Sequence, residues 1–118
     1  MKLDVSFLIT SYNYQNYIQQ CIESCINQKT DLSFEIIVVD DGSTDNTKNI
    51  LSKFSDHKKV KIFFRKNSGV EKSSNFAIKQ SIGAYISRID ADDFVGSDFL
   101  EKNLKIIKES DASFIYSN

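Results

Sequence analysis

Two cysteines, a single histidine, no long apolar run and no surplus of charge are what this sequence offers where other proteins are rich. Each scarcity excludes a class. Cys21 and Cys25 lie four residues apart, on one face of any helix that holds them, and no further Cys or His pattern completes a zinc set. They read as reduced core thiols. No apolar run approaches the roughly 20 residues that span a bilayer, and no leader peptide opens the sequence. The expected compartment is therefore the cytoplasm, with the inner face of a membrane reachable only through parts missing from this sequence. Fifteen basic against sixteen acidic side chains leave a formal charge of -1, so no cationic surface for nucleic acid is expected. There are no repeats, low-complexity tracts or linkers.

The chain does contain the material of a core. Of its 118 residues 41% are hydrophobic, including nine Phe and five Tyr, which suits one compact unit. The hydrophobic period alternates along the chain between that of strands and that of helices. Strands are predicted at 3–10, 34–39, 60–65 and 84–90, with a fifth beginning near 112. Between them, Tyr14, Tyr17, Ile18, Cys21, Ile22, Cys25 and Ile26 recur at three and four, the stripe of a helix capped by Asn13. Ser43 or Thr44 is the predicted cap of a second helix, with Ile50, Leu51 and Phe54 inward. A third is predicted over 70–81, ended by Gly83, and a fourth over 97–110, capped by Ser97. Strict alternation implies an α/β fold with a mostly parallel sheet and helices on both faces. The sequence ends within the fifth strand, so a longer parent protein is expected.

In such sheets ligands bind beyond the carboxyl ends of the strands, and the unusual residues fall there. The first strand ends in Thr10-Ser11-Tyr12-Asn13, the second in Asp40-Asp41-Gly42-Ser43 and the fourth in Asp90-Ala91-Asp92-Asp93. Carboxylates crowded at one rim repel, and a cation or hydrogen-bond donors must offset that. Asp90 and Asp92, two apart in extended chain, address one ligand together, and a hard divalent ion such as Mg²⁺ or Mn²⁺ fits them.

Four stretches, VSFLITSYNYQNYIQQCIESCINQ, EIIVVDDGSTDNT, NSGVEKSSNFAI and GAYISRIDADD, together resemble the successive signatures of inverting family 2 glycosyltransferases with the GT-A fold. The resemblance covers nearly all of the chain up to Asp93. It implies that residues 1–118 form the nucleotide-sugar-binding half of such a domain, serving transfer from a nucleotide-diphosphate sugar, with uridine expected as the nucleoside, to a saccharide or lipid-linked acceptor. It further implies that Asp41 accepts a hydrogen bond from the base, that Asp40 supports the pocket and that Thr10 and Tyr12 line the base. Asp90 would lie near the ribose and the metal, with Asp92 the direct metal ligand for Mn²⁺ or Mg²⁺. The general base is expected downstream of residue 118, so no catalytic base is named.

One departure stands out. Many members read alanine-arginine-asparagine where this chain has Ser73-Ser74-Asn75, which removes a cationic diphosphate contact. Lys72 or Arg88 is the candidate substitute. Each also has a plainer reading, Lys72 as a solvated helix residue and Arg88 as the partner of a neighbouring acid. His57 reads as a surface residue, and Phe63, Phe64, Phe76 and Phe99 as core. A phospho-receiver domain would need its acidic pair after the first strand, and a haloacid-type phosphatase its D-x-D there; both fail. A related nucleotidyltransferase would favour a glycine-rich, basic first loop, absent here, and a fragment that only binds nucleotide sugar remains the other alternative.

Overall fold

Strand and helix alternate as the period predicts. The computed structural model describes residues 2–109 and 113–116. The order is β1 (Leu3–Ser11), α1 (Ile18–Ile26), β2 (Phe34–Asp41), α2 (Thr47–Ser52), β3 (Val60–Arg65), α3 (Val70–Gln80), β4 (Gly83–Arg88), α4 (Phe99–Lys102), α5 (Leu104–Glu109) and β5 (Ser113–Tyr116). The sheet runs β3-β2-β1-β4-β5, and every neighbouring pair is parallel. Strand order therefore reverses between β1 and β4, which opens a crevice at their carboxyl ends.

All eight residues of β2 are buried, as an apolar run covered on both faces must be. Alternate residues serve the two layers. Val5, Phe7, Ile9, Ile36, Val38, Tyr85 and Ile89 face the larger core, filled by Ile18, Cys21, Ile22 and Cys25 of α1, Leu51 of α2, Leu100 of α4 and Ile107 of α5. Leu8, Ile37, Val39 and Ile86 face the opposite layer, closed by Ala77 of α3. Helices thus cover both faces. A fully buried Ile such as Ile22 is worth roughly 1.5–3 kcal/mol by transfer from water.

One acid lies inside this apolar frame. Glu35, 2% exposed, accepts hydrogen bonds from Ser6 Oγ, from the Ile82 amide at 2.8 Å and from Lys61 Nζ at 2.8 Å. It ties β1, β2, β3 and the turn into β4 together at the end of the sheet away from the crevice. Gly83 lies in the same tight region. A Cβ there would come within 2.4 Å of the Ser6 backbone nitrogen, so the close approach of β4 to β1 requires glycine.

Several expected boundaries shift. Asn13 does not cap α1, which begins at Ile18 after Tyr17 with no side-chain cap. Neither Ser43 nor Thr44 caps α2; that position is Asn46. The expected helix over 97–110 is two short helices, broken at Asn103, and its first cap is Asp98 rather than Ser97. Phe64 is 50% exposed because it lies near the end of the edge strand β3, whereas Phe63 and Phe76 pack edge to face at 5.2 Å between ring centres. His57 is half-buried, its Nδ1 accepting the Lys59 amide in the turn before β3. Among the described residues no helix is long and apolar enough to cross a membrane.

Candidate functional site

The carboxyl ends of β1 and β2 are stitched together by short polar side chains. Asn13 adopts φ 59°, a left-handed conformation that asparagine tolerates. Its Oδ1 accepts the amides of Thr44 at 2.8 Å and Asp45 at 3.2 Å, and its own amide donates to Ser43 Oγ at 2.9 Å. Asp45 accepts the Thr47 amide at 2.9 Å and the Gln15 amide at 3.2 Å. Burial alone raises the Asp45 pKa, but the bonds from Thr47 and Gln15 outweigh it and hold the carboxyl below its ordinary value. Asn13, read from the sequence as a helix cap, instead braces the D-D-G-S turn.

The two aspartates of that turn point to opposite faces because successive strand residues alternate. Asp40 faces the α1 side, fully buried, where it accepts the Ser43 amide at 3.0 Å and the Ser43 hydroxyl. It shapes the turn and is not among the residues lining the crevice. Asp41, 5% exposed, faces the α3 side and does line it. Its carboxylate accepts the amides of Ser68 at 2.9 Å and Gly69 at 3.0 Å and the hydroxyl of Ser73 at 3.0 Å. Burial raises its pKa; those hydrogen bonds together outweigh burial and lower it, so Asp41 is held ionised. The loop after β3 closes over the turn, with Asn67 Nδ2 donating to the Asp41 carbonyl at 3.0 Å. Gly42, at φ 74°, makes this possible: a Cβ there would lie 2.6 Å from the Asn67 nitrogen.

The crevice is a cavity of about 590 Å³. It brings Thr10, Tyr12, Asp41, Arg88, Asp90 and Asp92 together with Asn67, Gly69 and Val70 of the loop before α3. Tyr12 and Val70 are exposed apolar surfaces at its mouth, 44% and 55% accessible. Ser11 also lines it, buried, its hydroxyl without a hydrogen-bond partner among the described residues. Lys72 is exposed and outside the lining; its carbonyl accepts Arg65 Nη1 at 3.3 Å. Arg88, by contrast, lines the cavity from the β4 side, half-buried.

Asp90 and Asp92 are both exposed at the cavity, in a turn closed by the Asp93 amide donating to the Asp90 carbonyl at 2.9 Å. The Cys21 thiol donates to that carbonyl at 3.4 Å. Its hydrogen bond with Cys25, reinforced by burial, pushes the Cys21 pKa upward, so it stays a thiol, as expected of a free core cysteine. Among the described residues no cluster of three or more His, Cys, Asp or Glu is positioned to enclose a metal. Two carboxylates at an open rim suit a hard cation that keeps positions for water and phosphate oxygens, and do not suit a closed structural site.

A family model, glycosyl transferase family 2, matches residues 6–118. The chain belongs to that family. It is 36% identical over 115 residues to a chondroitin synthase of Pasteurella multocida, a match that covers 96% of this chain and 12% of the relative. A chondroitin synthase of Escherichia coli is 42% identical over 99 residues, 82% of this chain and 14% of the relative. Among solved structures, Staphylococcus aureus TarS 1-349 in complex with UDP-GlcNAc superposes with a TM-score of 0.79 at 33% identity, covering 92% of this chain and 32% of that one. This family 2 chain thus spans about an eighth of the length of these synthases.

Sequence reasoning missed the donors that hold the end of β2: Asn67, Ser68 and Gly69 carry no predicted role, and Ser73 figures there only as a departure from the family pattern. The available signal was a glycine and small hydroxyl side chains directly after a strand, at the mouth of a helix.

Proposed function

We propose that this chain forms the nucleotide-sugar-binding part of a glycosyltransferase that moves a sugar from a uridine-diphosphate donor to a saccharide or lipid-linked acceptor. The observation that carries the reading is the single cavity at the strand-order reversal, in which an ionised Asp41, an open Tyr12 ring, a cationic Arg88 and the Asp90/Asp92 pair meet. The likeness to TarS, whose structure holds UDP-GlcNAc, supports uridine as the nucleoside.

Each group has a task set by its chemistry. Asp41 only accepts hydrogen bonds, so it favours a base that presents an N–H over one that presents a bare lone pair. Tyr12 offers its ring face to the base, and Thr10 borders the same wall. Arg88 brings positive charge to the side where the diphosphate would lie, the role that Lys72, outside the cavity, does not share. Asp90 and Asp92 are the residues that would hold Mn²⁺ or Mg²⁺. When bound, that ion supplies positive charge opposite the departing nucleoside diphosphate. The proton of the acceptor hydroxyl would be taken by a carboxylate beyond residue 118.

A thermal-shift titration tests this. Uridine diphosphate at a hundredfold its dissociation constant, with Mn²⁺, should add about 2.7 kcal/mol of stability. Equal stabilisation in excess chelator sinks the metal assignment, and no stabilisation by any nucleoside diphosphate sinks the nucleotide reading.

A further inference from the structure

Asp41 is held unevenly. Oδ1 accepts the Ser68 amide at 2.9 Å, the Ser73 hydroxyl at 3.0 Å and, longer, the Ser68 hydroxyl at 3.4 Å. Among the described residues Oδ2 accepts one hydrogen bond, from the Gly69 amide at 3.0 Å. A carboxylate oxygen offers about two lone-pair positions, so Oδ1 is filled from within the protein and Oδ2 keeps one for a ligand.

The donors on Oδ1 are not equivalent. Ser68 lies in an exposed loop, where water replaces its contacts readily. Ser73 is fully buried on the inner stripe of α3, four residues before Ala77, which packs on the sheet. A hydroxyl with no access to water must find its acceptor within the protein, and here that is Asp41.

We propose that Ser73 is a positioning residue: from the rigid helix it fixes the plane of the Asp41 carboxylate, so that Oδ2 is the oxygen presented to the nucleobase, and it thereby sets how strongly the site prefers a base bearing an N–H. This rests on the reading of the cavity as a uridine-diphosphate site. Without the Ser73 hydroxyl, Oδ1 keeps only the donors of the exposed Ser68 among the described residues, and the carboxylate plane is no longer pinned from the helix. The bond from Oδ2 to the base N–H weakens, while ligands that lack that N–H lose nothing.

The test compares uridine diphosphate with its N3-methyl analogue, which cannot donate from that nitrogen, by calorimetry in saturating Mn²⁺. Wild type should prefer uridine diphosphate, and Ser73→Ala should cut that preference by about tenfold, the scale of one hydrogen bond, with affinity for the methyl analogue unchanged. Ser73→Cys keeps the volume and offers only a weak S–H donor, so it should fall between, and it carries the comparison if the alanine variant does not fold. Equal losses for both ligands would show that Ser73 merely anchors α3, and an unchanged preference would show that it does nothing at the site; either overturns the proposal. Wild-type binding of both ligands with equal affinity overturns it too, while leaving the nucleotide site standing. Binding of neither ligand removes the nucleotide reading and this inference together.

Discussion

Replacing Asp41 with alanine withdraws the acceptor that holds the loop after β3 to the end of β2. The buried Ser73 hydroxyl loses its partner, which costs about 1–3 kcal/mol for an orphaned group with no route to water. The Ser68 and Gly69 amides lie in exposed residues and are rehydrated, so each forfeits only the net worth of a hydrogen bond, about 0.5–1.5 kcal/mol. The sum is roughly 2–6 kcal/mol. For a chain of 118 residues, each kcal/mol moves the melting temperature by about 4 °C, so a fall of roughly 8–24 °C is expected. The same change removes the charged acceptor for the base, and uridine-diphosphate affinity should fall about 10- to 100-fold. Differential scanning fluorimetry and calorimetry read the two effects separately.

The stability part has a pH signature. Burial raises the Asp41 pKa, but its hydrogen bonds prevail and leave the folded value below the unfolded one. Such a carboxyl contributes fully above its unfolded pKa, about 3.9, and the contribution is lost as pH falls through the folded value. The gap between wild type and Asp41→Ala should therefore be constant near neutrality and narrow only below about pH 4. A melting temperature within 2 °C of wild type at pH 7 would refute the account of Asp41 as the clasp of this loop. Unchanged uridine-diphosphate affinity would refute it as the base contact.

Asp92→Asn should abolish the Mn²⁺-dependent part of nucleotide binding and leave weak recognition of uridine, with stability within about 0.5 kcal/mol of wild type because Asp92 is exposed; calorimetry with and without chelator checks both. Glu35→Ala strands the buried Ser6 hydroxyl at the far end of the sheet and gives up the bonds from the Ile82 amide and Lys61, and should cost about 2–5 kcal/mol in urea unfolding, while the folded fraction keeps its uridine-diphosphate affinity. The 118-residue chain alone should form no glycoside from uridine-diphosphate sugars, Mn²⁺ and a panel of saccharide acceptors, since the general base and the acceptor wall are expected beyond it. Comparable product from this chain and from one extended by its downstream sequence would show that the base lies within it.

The elements themselves were legible because their signal is local. The unbroken apolar run of β2 and the three-and-four spacing of α1 depend only on which faces must be dry, and both reappear as buried residues. The same locality placed Thr10, Tyr12, Asp41, Asp90 and Asp92 at strand ends before any contact was known, while their expected roles, and Arg88 as a candidate cation, came with the resemblance to family 2 glycosyltransferases. Caps were less legible. Asn13 and Ser43 are the residue types that cap helices, yet each found stronger partners in the turns that end β1 and β2, Asn13 at Thr44 and Asp45, Ser43 at Asp40 and Asn13.

Only the tertiary structure decided what depends on strand order. Nothing local states that β4 lies beside β1 and leaves β3 at the edge, and that order is what opens the cavity between β1 and β4 and leaves Phe64 half in water. Ser73 meets Asp41 across 32 residues of sequence, and Ile82 meets Glu35 across 47. Each side chain would suit many partners. The sequence by itself determined which faces are buried and which end of the sheet carries the carboxylates, because those follow from hydrophobic period. Which carboxylate is satisfied from within, and which oxygen is left over, was fixed only when the packed helices brought distant donors within 3 Å or so of it.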